Sequence, residues 1–226
     1  MLINLEKHDI FAALIHRAQY GGPLGSPASK LPFEALDVPG LTDIHIRHFL
    51  NILCEDCNYL EVGSLLGASL ISAAWDNGGC FWGVDDFSEW STVQELLATG
   101  LELQGNVLPI VGMQMADANR MHRDQMVPHV NFHEGSFRDF DLGQLEAPLD
   151  VFYYDADHST RGTMEGILHF APAFADQVIL LVDDWESREV RAGVQMALAQ
   201  IPFELETMFQ PKWWNGFLVA ALVKIA

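Results

Sequence analysis

Basic residues are scarce in this chain. Only 12 Lys and Arg stand against 31 Asp and Glu, a formal net charge of -19 over 226 residues. Such a field repels phosphate backbones and anionic lipid, so neither nucleic acid nor a membrane surface is an expected partner. Long apolar runs are missing as well, none reaching the roughly 18 residues of a membrane span. The N-terminal stretch MLINLEKHDIFAALIHRAQY scatters its charges instead of placing basic residues before an apolar block. It does not read as a signal peptide, and cytoplasm is the expected location. Cysteine is sparse, with three residues. Cys54 and Cys57 form one Cys-x-x-Cys with no second pair, and Cys80 stands alone. Structural zinc needs about four ligands, so these are expected to be small half-buried thiols. There is no internal repeat and no low-complexity tract.

Half the chain is hydrophobic, enough for one sizeable core. Residues 4–19 have helical apolar spacing, and residues 21–40 are rich in Gly and Pro. This N-terminal helix and loop, 1–40, could lie over a pocket as a lid ahead of a main domain at 41–226. Asp43 is placed to cap a helix running to about Cys54. Strands and helices then alternate. Strands are expected near 58–62, 80–84, 130–133, 149–154 and 178–182, and helices near 67–76, 160–175 and 187–200. The segment 87–128 should be mostly helical, with Met113, Met115, Met121 and Met126 as adaptable core. Two last strands, 203–209 and 217–223, flank a turn at Trp213-Trp214-Asn215-Gly216. The expected fold is α/β: a doubly wound, Rossmann-like sheet of seven strands, mostly parallel, with a C-terminal antiparallel hairpin.

The chemistry gathers at the strand ends. The stretch Glu61-Val62-Gly63-Ser64-Leu65-Leu66-Gly67-Ala68-Ser69 is a strand, a glycine turn and a helix start. Gly63 allows the turn, and Gly67 lets the helix begin close to a ligand. The next strand ends at Asp85-Asp86, the fourth at Asp155 and the fifth at Asp183-Asp184. If the first strand lies between the second and fourth, Glu61, Asp85, Asp155 and Asp183 converge on one crevice. Asp85 lies where an acid commonly binds ribose hydroxyls. Asp155, Asp183 and Asp184 suit a hard divalent cation such as Mg²⁺, although either of the last two could simply cap a helix. His158, beside these acids, is placed to take a proton from a substrate hydroxyl. Trp185, Trp213 and Trp214 could wall an acceptor site or merely fill core.

These residues resemble a class I S-adenosylmethionine-dependent methyltransferase over roughly residues 41–226, nearest the metal-dependent small-molecule O-methyltransferases of catechol and macrolide-sugar type. Glu61 to Ser69 resembles that branch's Glu-x-Gly-x-x-x-Gly-x-Ser motif. It lacks the glycine spacing of nicotinamide-binding folds, although a nicotinamide-dependent oxidoreductase and a cofactor-binding protein without chemistry both stay open. The resemblance implies S-adenosylmethionine as cofactor, with Glu61, Gly63, Ser64, Gly67 and Ser69 around its methionine end. It implies Asp85 on the ribose, Asp86 flanking the adenine, and Ser136 and Phe137 at the adenine ring. Tyr154-Asp155-Ala156-Asp157-His158 resembles the Asp-x-Asp-His segment, which implies Asp155 as a catalytic and metal-binding acid next to the cofactor and His158 as general base. Asp183 and Asp184 would complete a site for Mg²⁺ or another divalent cation. The implied partner is a small-molecule acceptor carrying a hydroxyl, and a homo-oligomer is left open.

Overall fold

A computed structural model describes residues 29–88, 105–106, 112–210 and 216–225. The expected helix at 4–19 and the turn residues Trp213 to Asn215 lie outside the described residues. Helix α1 (Phe33–Leu36) and helix α2 (Ile44–Leu53) precede strand β1 (Tyr59–Val62), helix α3 (Ala68–Ala74) and strand β2 (Phe81–Asp85). Helix α4 (Met115–Met126), strand β3 (Asn131–Glu134), strand β4 (Leu149–Tyr154) and helix α5 (Thr160–Phe170) follow. Strand β5 (Phe174–Val182), helix α6 (Arg188–Leu198), strand β6 (Phe203–Phe209) and strand β7 (Leu218–Lys224) complete the order.

The seven strands form one sheet in the order β3-β2-β1-β4-β5-β7-β6. Strands β1 to β5 pair in parallel, while β7 runs antiparallel to both β5 and β6. The expected seven-stranded α/β sheet with an antiparallel C-terminal pair is therefore present. Strand β1 does lie between β2 and β4, so the winding direction reverses there, which is where open α/β sheets place ligands.

Side-chain alternation sorts the sheet residues into two core layers. Tyr59, Phe81, Tyr153 and Leu181 join α2 and α3 on one face. Leu60, Val62, Val84, Phe152, Tyr154 and Leu180 join α5 and α6 on the other. Residues 178–182 of β5 are buried throughout, as their unbroken apolar run predicts for a central parallel strand. Truncating a fully buried side chain such as Phe152 would cost about 3–5 kcal/mol.

Most boundaries fall within two residues of expectation, and three differences are larger. Strand β5 begins at Phe174, because Asp176 and Gln177 are polar yet still extended, with Gln177 paired to Val223. Helix α5 stops at Phe170, where Pro172 turns the chain into a short 3₁₀ segment, Ala171–Ala173. Part of the Gly/Pro-rich stretch is helical: Pro32 stands at the N-cap of α1, and Ala35 of that helix is buried against the α2–α3 layer. The cap on α2 is as expected, with the Asp43 carboxylate accepting from His45 N at 2.7 Å.

Candidate functional site

The ladders run one residue past several strand ends and bring the C-terminal loops to one level. Gly63 N donates to Val84 O at 2.8 Å, Asp155 N to Val62 O at 2.9 Å and Asp183 N to Tyr154 O at 3.1 Å. Gly63 has φ +96°, and a Cβ there would run into the Asp155 carbonyl oxygen. The first and fourth strand loops therefore touch, and a cavity of about 590 Å³ opens above them. That volume suits a nucleoside-sized ligand.

Of the expected site residues, Gly63, Ser64, Ser69, Asp85, Asp86, Phe137, Asp155 and His158 line the cavity. Glu61, Gly67, Ser136, Asp183 and Asp184 do not. Glu61 falls on the α2–α3 side of β1 and is fully buried. Its carboxylate accepts from Tyr59 Oη at 2.6 Å and Ser69 Oγ at 3.0 Å. Burial pushes its pKa up to about 7, against the pull of those hydroxyls. Ser64 Oγ lies near enough to act in the same sense, but makes no hydrogen bond of normal geometry. Glu61 thus braces Ser69 from beneath the cavity. The Ser136 hydroxyl accepts from Arg138 N and caps a 3₁₀ turn.

Asp85 organises the glycine turn. One carboxylate oxygen accepts from Leu65 N at 2.7 Å and the other from Phe87 N at 2.6 Å. Both donors sit at positive φ, Leu65 at +47° and Phe87 at +54°. A left-handed conformation costs a non-glycine residue about 1–2 kcal/mol, and two charge-assisted bonds to one carboxylate offset that. A carboxylate has roughly four lone-pair sites, so Asp85 keeps capacity to accept hydroxyl donors. Burial raises its pKa.

Helix α4 adds support that no local motif announced. Asn119 Nδ2 donates to Leu65 O at 3.0 Å, and His122 Nδ1 lies 3.1 Å from Leu66 O. Met115 is buried with Leu66, which makes it core. Arg138 was likewise missed. It lines the cavity with its guanidinium 4.4 Å from the Phe137 ring centroid, held there by Glu165 at 2.7 Å.

The other side of β1 holds a crowded acid cluster. His158 Nε2 lies 3.6 Å from Asp155 Oδ1, and His158 Nδ1 lies 3.1 Å from Asp184 Oδ2. Tyr153 Oη donates to Asp155 Oδ2 at 3.0 Å. Hydrogen bonding to Asp155 raises the His158 pKa, against desolvation. Asp183 is pushed up to about 8, chiefly by burial and then by the Asp155 charge. Neither Asp183 nor Asp184 caps α6; Ser187 does. Trp185 is core packing.

The expected metal set is not assembled among the described residues. Among the described residues no three His, Cys, Asp or Glu side chains are arranged to hold an ion. Asp155, Asp183 and Asp184 share the sheet edge, with the His158 ring between Asp155 and Asp184.

A family model described as a methyltransferase domain matches residues 60–185, more than half of the chain. The chain belongs to this methyltransferase family. The matched span runs from β1 to the residue after Asp184 and so contains both sides of the site. Among solved structures, cofactor-bound Rv0187 from MTB is 20% identical with a TM-score of 0.57, covering 100% of this chain and 94% of that one. A protein assigned as an O-methyltransferase from Klebsiella pneumoniae is 17% identical with a TM-score of 0.54, covering 100% and 93%. A TehB-like SAM-dependent methyltransferase from Corynebacterium glutamicum is 15% identical with a TM-score of 0.51, covering 81% and 89%. At these identities the likeness is one of fold. Among curated proteins none matches the sequence. No helix among the described residues is long and apolar enough to cross a membrane.

Proposed function

We propose that this methyltransferase moves a methyl group from S-adenosylmethionine to a hydroxyl of a small molecule such as a sugar, a catechol or a related natural product. The observation that carries this is His158, held between Asp155 and Asp184 at the rim of a nucleoside-sized cavity.

The cavity fits the cofactor by the chemistry of its walls. Asp85 has acceptor capacity for ribose hydroxyls, Phe137 offers an aromatic surface, and Gly63 and Ser69 line the methionine side with Ser64. Asp86 lines the cavity too and flanks the adenine in this assignment. When bound, the cofactor supplies a methyl already activated on a sulfonium. The chain must then orient the acceptor and remove its proton. As the acceptor oxygen took the methyl in place of the sulfur, the hydroxyl proton would pass to neutral His158. Asp155 and Asp184 orient the ring and stabilise the imidazolium that results. General-base transfer of this kind is worth about 10²–10⁴ in rate.

A panel of sugar, catechol and phenol hydroxyls incubated with S-adenosylmethionine should yield S-adenosylhomocysteine and a methyl ether, read by mass spectrometry. Binding of S-adenosylhomocysteine with no product from any hydroxyl would turn the proposal to a cofactor-binding protein without chemistry. Stabilisation by NADH and not by S-adenosylhomocysteine would overturn it in favour of an oxidoreductase.

Metal assistance is a second reading of the same site. It is favoured by the crowding of Asp155, Asp183 and Asp184, whose mutual repulsion a divalent cation would relieve. Turnover that rises with added Mg²⁺ and vanishes in EDTA would establish it.

A further inference from the structure

Arg47 lies outside every motif that marks the cofactor site, yet its side chain is only 1% exposed. It rises from α2 into the loop between α1 and α2. Its Nε donates to Thr42 O at 3.0 Å, and its Nη1 donates to Leu36 O at 3.1 Å and Val38 O at 2.8 Å. Those bonds gather three inward-turned carbonyls and hold the loop closed. Nη2 is also buried, and it has no hydrogen-bond partner among the described residues. A guanidinium needed only as loop glue has no reason to bury two idle N–H groups, whose desolvation is costly. Burial lowers its pKa to about 10, so it stays charged at neutral pH.

The direction of Nη2 supplies the reason. A Cβ placed on Gly40 would lie 3.2 Å from Arg47 Nη2 and 2.6 Å from Ala68 Cβ. Only a glycine can thread this gap. Gly40, Leu41 and Thr42 then line the cavity beside Ala68 and Ser69. The idle guanidinium nitrogen therefore stands directly behind a bare backbone segment of the cavity wall.

The charges of the cavity show what this could serve. Its lining carries Asp85, Asp86, Asp155 and Asp157, with Arg138 beside Phe137 and His158 beside Asp155. A cofactor ending in an amino acid brings a carboxylate into this acidic surround. That group needs positive charge at the Ser69 end, and a buried charge acts strongly over short distances.

We propose that Arg47 is a positioning residue for the carboxylate of the cofactor. It fixes the Gly40–Thr42 wall and places a buried positive charge, only partly balanced by Asp43, behind it. This rests on S-adenosylmethionine being the cofactor, and it assigns one end of that ligand to a residue outside the matched methyltransferase span.

The test is calorimetry with three ligands: S-adenosylhomocysteine, its carboxamide, and 5′-methylthioadenosine, which lacks the amino-acid end. The wild-type protein should prefer the carboxylate over the carboxamide by roughly ten-fold or more, the scale of a charge-assisted interaction. Arg47→Met should erase that preference while changing 5′-methylthioadenosine affinity less than about two-fold, and Arg47→Lys should keep most of it. Gly40→Ala should weaken S-adenosylhomocysteine selectively, because the added methyl displaces the wall. Equal losses for S-adenosylhomocysteine and 5′-methylthioadenosine in Arg47→Met would show a purely structural role and overturn the proposal. So would a wild-type protein indifferent to the carboxamide, a comparison that does not depend on any variant folding. Failure of the wild type to bind any of the three would instead remove the cofactor assignment on which the proposal rests.

Discussion

The two sides of β1 use the same residue type in opposite ways. On the β2 side, Asp85 accepts two backbone N–H bonds at 2.7 and 2.6 Å and holds Leu65 and Phe87 at positive φ. Its charge stabilises the scaffold of the glycine turn. On the β4–β5 side, Asp155, Asp183 and Asp184 crowd together with His158 among them, and Asp183 is driven up to about 8. A carboxylate supplied with backbone donors sets geometry. Carboxylates supplied with each other and an imidazole hold a proton ready to move. Strained, polar and mutually repelling groups of this kind are where chemistry is expected.

Removing His158 should break the comparison most visibly. His158→Ala is expected to lower turnover by about 10²–10⁴, while S-adenosylhomocysteine binds within about two-fold of wild type. Unchanged turnover on an accepted substrate would take the base role away from this side. With the base intact, its raised pKa sets the pH profile: the neutral imidazole is the active form, so turnover should climb as pH rises through a value above the ordinary 6.5. A rate that instead falls across that range would assign His158 as an acid.

Glu61 sharpens the contrast by adding a buried acid beneath the cavity. Its folded pKa, about 7, lies above its ordinary 4.5, so the folded state binds the extra proton. This contribution to stability is full below pH 4.5 and is lost as pH rises toward 7, an effect on the order of 3 kcal/mol. Glu61→Gln should therefore flatten the fall in melting temperature between pH 5 and pH 8. An identical slope in the variant would place the titration elsewhere.

Asp85→Ala should weaken cofactor binding by about 1.5–3 kcal/mol in calorimetry, since it loses a charged acceptor and frees the turn. Equal affinity would mean that the turn holds without its carboxylate. The smallest expected effect is none. EDTA should leave turnover unchanged if His158 alone carries the proton, and a lost rate would show that the acidic side assembles an ion after all.

Much of this architecture could be read from local pattern. The strand at 149–154 and that at 203–209 have the bounds seen in the structure, because alternation and turn residues are short-range signals. The acids after β2, β4 and β5 were legible as strand-end residues for the same reason. Arg138 and Asn119 were not legible, since each acts on a segment distant in sequence; Arg47 was not, since nothing local shows that the loop before its helix folds over it. Asn119 reaches Leu65 across 54 positions, and Arg138 reaches Glu165 across 27. The Ser136 hydroxyl also closes a local turn, which its place after β3 did not show.

The sequence by itself determined the element order, the glycine turn at Gly63 and the placing of Asp85, Asp155 and Asp183 at strand ends. These follow from hydrophobic period and from where polar residues interrupt it. Only the tertiary structure decided which way each of those groups faces. Alternation along β1 turns Glu61 away from the cavity and under Ser69. The contact of the Gly63 and Asp155 loops sets His158 among the acids. Closure of residues 36–42 over Arg47 brings its charge behind Gly40. Orientation of this kind depends on what packs across the sheet, and no spacing along the chain encodes it.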